Sequence, residues 1–580
     1  MMAPVITACV LAGVLAIANL VLTFLVGRFA LQTFQQNTYR TSEYGPWFRT
    51  NWKKTSSTLL TAVLSIAAIL LSAFVLPLAI VIGVIALAFT IFVIYYFNFL
   101  RKHLTKKALV YTARVKRLVI ADVVLSVIVC AIMLVPGILT GSIFGLIGSL
   151  TCTLCLLPPL QLLLVPFAGI IMGPAERSNN QRYIDEARSI LEACPDLTVV
   201  GITGSYGKTS VKHYLAELLR NRYDVLITPG NFNTTLGVVR TIRERLKPTH
   251  EVFLCEMGAR HIGDIAEICE LVHPTMGIIT SIGPAHLETF GGLDAVKAGK
   301  FELVDAILGA SATDVAGAVD AADVASTSNA ASAADTASTA GSASASARVF
   351  LNFDSEPVRE QAESRNLAPE SFVSYGANER ADYRIIASET SQAGTRFTIA
   401  APDGQTCEYS TKLIGQHNVG NIAGAIAAAH ALGVPLDEMR VPVRRLRPVE
   451  HRLDLKQNGN ATIIDDAYNS NPVGARAALD VLALFDGRKI LVTPGMVELG
   501  EAQVQLNAEF AAYAANICDD VIVVGRHNRA ALLEGLADAG FPQARTHCCS
   551  TIQDALHQAF SISASEKRTI LMENDLPDIY

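Results

Sequence analysis

Long uncharged stretches dominate the first part of the chain. Residues 4–27 carry no charge. Similar apolar runs follow at 58–76, 78–97, 118–136 and 141–172. Since about 20 apolar residues are enough to cross the hydrocarbon core of a membrane as a helix, the pattern predicts a transmembrane region over residues 1–174 with about five helices. A cleaved signal peptide is the alternative for residues 4–27, but the basic segment that precedes such a peptide is missing.

The last apolar stretch allows two interpretations. Residues 141–172 are too long for one ordinary span and contain Pro158, Pro159 and Pro166. The pattern fits either one helix followed by an interfacial segment or a broken hairpin.

Basic residues indicate the orientation of this region. The first loop carries Arg28, Arg40, Arg49, Lys53 and Lys54, and the second long loop carries seven further Lys and Arg residues between 101 and 117. Positively charged loops stay in the cytoplasm. Five spans with an external N-terminus would therefore place everything after residue 173 in the cytoplasm. We expect a multi-pass protein of the cell membrane with cytoplasmic catalytic domains.

From residue 175 the pattern becomes that of a soluble α/β protein. Short apolar runs at 197–202, 252–256 and 276–282 alternate with helix-like segments at 208–221 and 294–308. This alternation is typical of βαβ units around a mostly parallel sheet. It predicts a central domain over residues 175–442.

Residues 309–348 interrupt that pattern with a low-complexity sequence of Ala, Ser, Asp and Thr. The segment has few large apolar side chains, so it predicts a disordered insertion, with an Ala-rich helix as the alternative. The α/β pattern resumes at Val349, which places the insertion inside the central domain.

A second α/β unit follows an Ala-rich helix predicted at about 418–432. Strands are predicted near 461–465, 489–493 and 520–524. They indicate a C-terminal Rossmann-like domain over residues 443–580.

Composition supports this organisation. A mean hydropathy of +0.35, with 51% hydrophobic and 17% charged residues, is too apolar for an ordinary soluble protein. The net charge of −6 argues against a nucleic-acid partner. The eleven cysteines are scattered, which favours a reducing compartment. Cys152 and Cys155 lie in an apolar run and are expected to be buried thiols rather than a metal or redox pair.

The candidate chemistry begins at Val199–Ser210, V-V-G-I-T-G-S-Y-G-K-T-S. A β-branched run enters a glycine-rich turn and a helix follows, which is the context of a phosphate-binding loop. Lys208 can reach the β and γ oxygens of a nucleotide, and the Thr209 hydroxyl is placed for Mg²⁺. Five residues separate Gly201 from Gly207, so the general P-loop pattern is not met. The predicted nucleotide-binding residues here are Gly204, Ser205, Gly207, Lys208, Thr209 and Ser210.

The T-G-S-x-G-K-T-S form resembles the Mur ligase family, and four further stretches fit it. T-P-G-N-F-N at Thr228–Asn233 is similar to the T-P-G-N-x-N of the branch that adds D-alanyl-D-alanine. The resemblance implies that Asn231 and Asn233 bind substrate. It covers about residues 175–580.

Two strand ends carry the metal ligands that the resemblance implies. Glu256 ends a predicted strand, and His286 follows Gly283-Pro284 after the next one. Such ends are where α/β proteins build ligand sites. By resemblance, Glu256 and His286 bind Mg²⁺ with Thr209, and Lys300 becomes carbamylated and joins a second metal. Lys297 is the nearby competitor for that role. The implied catalytic residues are Lys208, Glu256, His286 and Lys300.

Further residues match the nucleotide side of the family. Gly415–Asn421 resembles G-x-H-N-x-x-N, in which Asn418 and Asn421 contact the adenine. Arg452 stands where the family has a nucleotide-contacting arginine. Asp466, which ends a predicted strand, matches the residue that approaches the ribose. Tyr468 and Asn469 shape the same loop and are the remaining implied substrate-binding residues.

The chain also departs from the family. Membrane segments stand where relatives have a UDP-binding domain. Asn233-Thr-Thr-Leu-Gly replaces a stretch with an acidic residue before Ile-Gly, and Thr493-Pro-Gly-Met-Val-Glu-Leu-Gly replaces G-D-M-x-E-L-G. Leu571-Met-Glu-Asn-Asp replaces a K-G-S-like ending.

The resemblance implies a membrane-anchored ligase that uses ATP and Mg²⁺. Such enzymes phosphorylate an acceptor carboxylate, and an amine then attacks the acyl phosphate to give an amide, ADP and phosphate. The implied partners are a muramyl peptide acceptor, linked to UDP or to a lipid, and a D-Ala-D-Ala-like donor, with docking to other cell-wall synthesis enzymes as a further option. A P-loop ATPase driving transport and a non-catalytic scaffold are the alternatives from other classes.

Overall fold

The computed structural model describes residues 2–50, 109–141, 143–230, 232–324, 349–468, 470–562 and 566–575. The chain divides into two compact units. One contains residues 1–181 with 577–580, and the other contains residues 182–576.

Helices build the described part of the first unit. They are α1 (Met2–Gln36), α2 (Thr41–Thr50), α3 (Ala113–Leu139) and α4 (Ile143–Glu192), which continues into the second unit. Among the described residues, Ala113–Leu139 and Leu156–Glu192 are long and apolar enough, by length and composition, to cross a membrane. The predicted spans at 58–76 and 78–97 lie outside the described residues.

Helix α4 settles the open course of residues 141–172. It is one continuous helix of 50 residues with Pro158, Pro159, Pro166 and Pro174 inside it, so there is no hairpin. The helix also runs past residue 174, where the sequence predicts the central domain to begin. Both Arg117–Glu176 contacts, at 2.7 and 2.9 Å, connect α3 to α4 within the first unit.

In the described part of the second unit, nine strands form the first sheet, in the order β2-β3-β1-β4-β5-β6-β7-β8-β9. Strands β1 to β7 pair in parallel, and β7, β8 and β9 are antiparallel. The strands are β1 (Thr198–Thr203), β2 (Val225–Ile227), β3 (Val252–Glu256), β4 (Met276–Ile279), β5 (Val349–Asn352), β6 (Phe372–Gly376), β7 (Tyr383–Ser391), β8 (Gly394–Ala400) and β9 (Thr406–Thr411).

Helices cover both faces of this sheet. The helices are α5 (Lys208–Leu219), α6 (Thr235–Arg245), α7 (Asp264–Val272), α8 (Leu287–Phe290), α9 (Leu293–Val324), α10 (Glu356–Ser364), α11 (Gln416–Ala431) and α12 (Arg440–Arg445). One core packs α5 and α11 against the sheet, with Tyr214 and Ile422 as buried members. The other packs α6, α7 and α9, with Ile242 and Phe301. The parallel part of the sheet is thus covered by helices on both faces, as is usual for parallel sheets.

The second sheet of this unit has the order β10-β11-β15-β12-β13-β14 among the described strands. Only its edge strand β10 pairs antiparallel. The elements are β10 (Asp454–Asn458), β11 (Ala461–Asp466), α13 (Pro472–Ala483), β12 (Arg488–Thr493), α14 (Gln503–Ala515), β13 (Asp520–Val524), α15 (Arg529–Asp538), β14 (Thr546–Cys549), α16 (Ile552–Ser561) and β15 (Arg568–Glu573).

Two predictions differ from the structure. Helix α9 continues to Val324, so the first part of the predicted disordered insertion 309–348 is helical, as its high alanine content allows. Residues 325–348 lie outside the described residues. The antiparallel strands β7 to β9 were not predicted, although their alternation of buried and exposed positions is typical of half-buried strands.

Candidate active site

The loop between β1 and α5 depends on two glycines. Gly204 has φ of +146° and Gly207 has φ of +82°, both in the region that favours glycine. A Cβ on Gly204 would lie 2.1 Å from Thr280 Oγ1, and one on Gly207 would lie 2.4 Å from Asn421 Oδ1. The N-terminus of α5, where an anion can bind to free N–H groups, therefore follows a tight glycine turn, and the predicted residue Asn421 lies against that turn.

Lys208 folds back over this loop. Its Nζ donates to the carbonyl oxygens of Gly204 at 2.6 Å and Ser205 at 3.2 Å. Burial lowers the pKa of Lys208 to about 8; the Glu256 carboxylate opposes this shift and Arg452 adds to it. The positive charge of Arg452 is thus near enough to Lys208 to affect its pKa.

Three side chains meet on the carboxylate of Glu256 at the end of β3. Thr209 Oγ1 and Asn233 Nδ2 each donate to Oε1 at 3.2 Å, and Lys212 Nζ donates to Oε2 at 2.8 Å. Burial alone would raise the pKa of Glu256. The charges of Lys212 and Lys208 together lower the pKa by more than burial raises it, so the net shift is downward. Glu256 is an ionised carboxylate beside the phosphate loop.

Lys212 is the member of this cluster that sequence reasoning missed. Its side chain is fully buried, and its Nζ also donates to the carbonyl oxygen of Gly230 at 2.9 Å. A signal was available, because Lys212 stands one helical turn after Lys208, between the buried residues Val211 and Tyr214 of α5. A lysine on the apolar face of a helix indicates a buried anionic partner.

His286 pairs with a residue of the second sheet's domain. Its Nδ1 is hydrogen bonded to a carboxylate oxygen of Glu498, and the backbone N–H of Leu287 donates to the Glu498 carbonyl at 3.2 Å. Both His286 and Glu498 have left-handed backbones, with φ of 55° and 62°. Burial alone would raise the pKa of Glu498. Contact with His286 opposes this effect, and the net shift of the pKa is downward. Glu498 was missed as a site residue, although its M-V-E-L-G stretch was noted.

Lys300 is buried, and among the described residues it has no hydrogen-bond or ion-pair partner. Its Nζ lies 5.6 Å from the centroid of the Phe290 ring. Burial lowers the pKa of Lys300 to about 7, and the charge of Lys208 adds to the shift. Lys297 differs, because its Nζ bonds Glu360 at 2.8 Å and that hydrogen bond raises its pKa. Of the two, Lys300 is therefore the lysine that is more readily present as the neutral amine.

The oxygen donors fit Mg²⁺ in part. Thr209 and Glu256 supply adjacent oxygen ligands of the kind that Mg²⁺ prefers. Within the described ranges, no three His, Cys, Asp or Glu side chains form a group that could hold a metal ion. The structure shows no contact between His286 or Lys300 and the Thr209–Glu256 pair.

The predicted nucleotide-binding residues Arg452 and Asn418 have different surroundings. The guanidinium of Arg452 lies 4.8 Å from the ring centroid of Tyr468, which is 46% exposed. Asn418 is buried instead, where its amide accepts from the Tyr214 hydroxyl at 2.8 Å and donates to the Ile414 carbonyl at 2.9 Å. In this structure the Asn418 amide is therefore bonded within the core, and its contact with adenine stays a prediction.

The remaining predicted residues hold the loops together. Ser205 Oγ donates to the Gly283 carbonyl at 3.1 Å, which joins the phosphate loop to the segment before His286, and Ser210 is buried in α5. Asp466 ends β11 and accepts from the Leu453 N–H at 3.1 Å. Asn231 and Asn469 lie outside the described residues.

Comparisons with known proteins agree with this arrangement. The Mur ligase middle domain matches residues 202–346 and 340–429, and the Mur ligase glutamate ligase domain matches residues 451–573. UDP-N-acetylmuramoyl-tripeptide–D-alanyl-D-alanine ligase of Escherichia coli (strain K12) is 31% identical over 335 residues, which are 57% of this chain and 65% of that protein. The enzyme of that name from Mycobacterium tuberculosis H37Rv is 31% identical over 59% of this chain and 62% of its own length. The chain thus spans less than two thirds of these relatives.

Solved structures show the same fold. MurF from Acinetobacter baumannii superposes with a TM-score of 0.56 at 26% identity, over 68% of this chain and 77% of that one. MurF from Thermotoga maritima in complex with ADP gives a TM-score of 0.54 at 23% identity, over 68% and 80% of the two chains. Residues 202–429 and 451–573 carry the middle and C-terminal domains of these ligases, and the chain therefore belongs to the Mur ligase family.

Proposed function

We propose that the chain is an ATP-dependent ligase of peptidoglycan precursor synthesis that joins D-alanyl-D-alanine, or a similar amine, to a muramyl peptide carboxylate. The Glu256 cluster carries this proposal. Thr209 of the phosphate loop and Asn233 of the T-P-G-N-F-N stretch donate to the same carboxylate oxygen. The segment that binds substrate in the family thus lies beside the segment that binds phosphate.

The reaction would proceed in two steps. An oxygen of the acceptor carboxylate attacks the γ-phosphorus of ATP, the bond to the β-phosphate oxygen breaks, and ADP leaves. The amine then attacks the carbonyl carbon of the acyl phosphate, loses a proton and expels phosphate. Lys208 and Arg452 are cations in one electrostatic environment and would offset the negative charge that moves during phosphoryl transfer.

Thr209, Glu256, His286 and carbamylated Lys300 would hold Mg²⁺. Bound there, Mg²⁺ supplies charge neutralisation for the phosphates. Lys300 suits carbamylation because its burial and lowered pKa, about 7, favour the neutral amine that reacts with carbon dioxide. The carbamate would supply anionic oxygens that the amine lacks.

The chain would be anchored in the cell membrane by several helices, with its ligase domains in the cytoplasm. Supporting this, apolar side chains of α3 point outward: Ile120, Val123, Val127, Ile128 and Ile132 are 47% to 65% exposed. A core helix of a soluble protein would bury such residues. The division into regions 1–174, 175–442 and 443–580 remains our proposal; α4 crosses the first of these boundaries, and the first compact unit ends at residue 181.

A soluble UDP-linked muramyl tripeptide is the first candidate acceptor, because the relatives named above act on it. The apolar helices favour a second candidate, a lipid-linked muramyl peptide. They would also suit docking to other cell-wall synthesis enzymes.

ADP release tests the proposal. Full-length protein should release ADP only when both the acceptor and D-Ala-D-Ala are present, and Lys208→Ala should reduce the rate roughly a hundredfold or more. Running the assay with UDP-linked and with lipid-linked acceptor in vesicles separates the two acceptors. ADP release that is independent of the amine would instead favour an ATPase.

A further inference from the structure

Two acidic side chains meet where β11 and β15 end. Asp466 and Glu573 are register partners on these adjacent parallel strands, so their side chains leave the sheet on the same face, and the charge of Asp466 acts on the Glu573 carboxyl group. Glu573 is 1% exposed. Two ionised carboxylates so close would repel one another in a buried site, so the pair must hold a proton.

The contacts place that proton on Glu573. Ser470 Oγ donates to Glu573 Oε1, but Oε2 is buried and receives no hydrogen bond from the described residues. A carboxylate oxygen left so would be costly, whereas the O–H of a carboxylic acid is itself a donor. Burial raises the pKa of Asp466 to about 6, and the Leu453 N–H donor and the nearby Arg452 cation oppose that shift. Burial, followed by the Asp466 charge, raises the pKa of Glu573 well above its ordinary value.

We propose that Glu573 is a positioning residue that is a neutral carboxylic acid at neutral pH, donates a hydrogen bond to Asp466 and loses its proton at alkaline pH. That bond holds the Asp466 carboxylate in place for the ribose of the nucleotide. The inference rests on the proposed function, in which Asp466 binds that ribose.

The departure at the end of β15 fits this role. Glu573-Asn574-Asp575 stands where the family ends in a K-G-S-like sequence. Asn574 has φ of 69°, a left-handed conformation that asparagine tolerates and that glycine adopts readily. Its side chain also contacts the Gly495 carbonyl and the Ser470 N–H. A glutamate at this position can donate a hydrogen bond to the Asp466 carboxylate only while it is protonated.

A pH dependence follows. As pH rises and Glu573 loses its proton, two carboxylates repel one another and negative charge accumulates near an anionic nucleotide, so affinity should fall. Arg452 and Asp465 also act on Asp466. Lys208 has a pKa of about 8 and loses its charge in the same direction. Only a comparison with a matched variant isolates Glu573.

The test is calorimetric titration of the full-length protein with ADP, without metal, from about pH 6.5 to about pH 9. Glu573→Gln keeps an N–H donor but cannot ionise, so it should retain most of the affinity and lose less of it at alkaline pH than the wild type. Glu573→Ala should weaken binding roughly tenfold. Glu566→Gln changes the same charge at an exposed position before β15 and should match the wild type.

Two results would overturn the inference. One is a Glu573→Gln affinity that falls with pH as steeply as that of the wild type. The other is a Glu573→Ala variant that binds ADP as tightly as the wild type. If Glu573→Ala does not fold, as judged by thermal unfolding, the Gln comparison decides. A separate measurement uses Lys208→Ala. If this variant binds ADP as tightly as the wild type, the result contradicts the proposed nucleotide site and not the role of Glu573.

Discussion

Lys212 Nζ lies 2.8 Å from Oε2 of Glu256, and both side chains are withdrawn from solvent, with exposures of 0% and 2%. This pair joins helix α5, which begins at the phosphate loop, to the end of β3. It also leaves Oε1 of Glu256 to Thr209 and Asn233. Lys212 is thus the counter-ion that allows a carboxylate to stay charged at the centre of the site.

Replacing Lys212 by Met should destabilise the protein. The substitution leaves a buried carboxylate without its cation, which costs on the order of 3 kcal/mol. Chemical denaturation measures the free energy of unfolding. Lys247→Met, at an exposed position, is the control and should change it by less than about 0.5 kcal/mol. Equal stability of the two variants would show that the ion pair contributes nothing.

The same pair predicts a pH dependence. The pKa of Glu256 in the folded protein lies below its ordinary value of 4.5, so the stabilisation is complete above that value and is lost as pH falls through the folded pKa. In Lys212→Met, burial acts on Glu256 without this opposing charge and should raise its pKa. The stability difference between wild type and variant should therefore narrow from about pH 7 to about pH 4. A constant difference would contradict this assignment.

Lys300 and Lys297 form a second matched comparison. Lys300→Ala should be inactive and should regain some activity with a small carboxylate that supplies the missing oxygens. Lys297→Ala should stay active, because the Lys297 amine bonds Glu360 away from the site. With ¹³C-labelled bicarbonate, NMR should detect a carbamate in the wild type and not in Lys300→Ala. A carbamate that persists in Lys300→Ala would place it on another lysine.

Glu498 should act through His286. A carboxylate bonded to Nδ1 fixes the ring and leaves Nε2 for a ligand, and loss of such a partner lowers metal affinity or activity by roughly ten- to a hundredfold. Glu498→Ala should weaken Mn²⁺ binding, measured by electron paramagnetic resonance, as well as turnover. The exposed neighbour Glu501 gives the control Glu501→Gln. Unchanged Mn²⁺ affinity in Glu498→Ala would leave Glu498 with a role in joining the two domains only.

Local pattern was enough to predict the parallel part of the fold. Strand β3 matches its predicted bounds of 252–256, and β1 begins within one residue of its prediction, because buried parallel strands are short apolar runs bounded by turns. The course of α4 could not be predicted, since prolines disfavour a helix locally and only the packed structure decides whether it continues.

Site residues were predictable where one motif contains them. The glycine-rich turn predicts the phosphate loop, and the position of Glu256 at the end of a strand predicts its place in the site. Glu498 could not be found in this way, because it lies 212 positions from His286 and the contact exists only once two domains fold together. The motif of Asn418 fits the family, but the sequence does not show that its amide is bonded to Tyr214 and Ile414 inside the core.

Isotope transfer tests the central claim, which is ligation through an acyl phosphate. The acceptor carboxylate is labelled with ¹⁸O, and full-length protein is given ATP, Mg²⁺ and D-Ala-D-Ala. Mass spectrometry should find one ¹⁸O in the released phosphate for each amide formed, because the attacking carboxylate oxygen leaves with the phosphoryl group. Lys208→Ala should give neither product. Phosphate without ¹⁸O, released together with ADP and without an amide, would contradict the account.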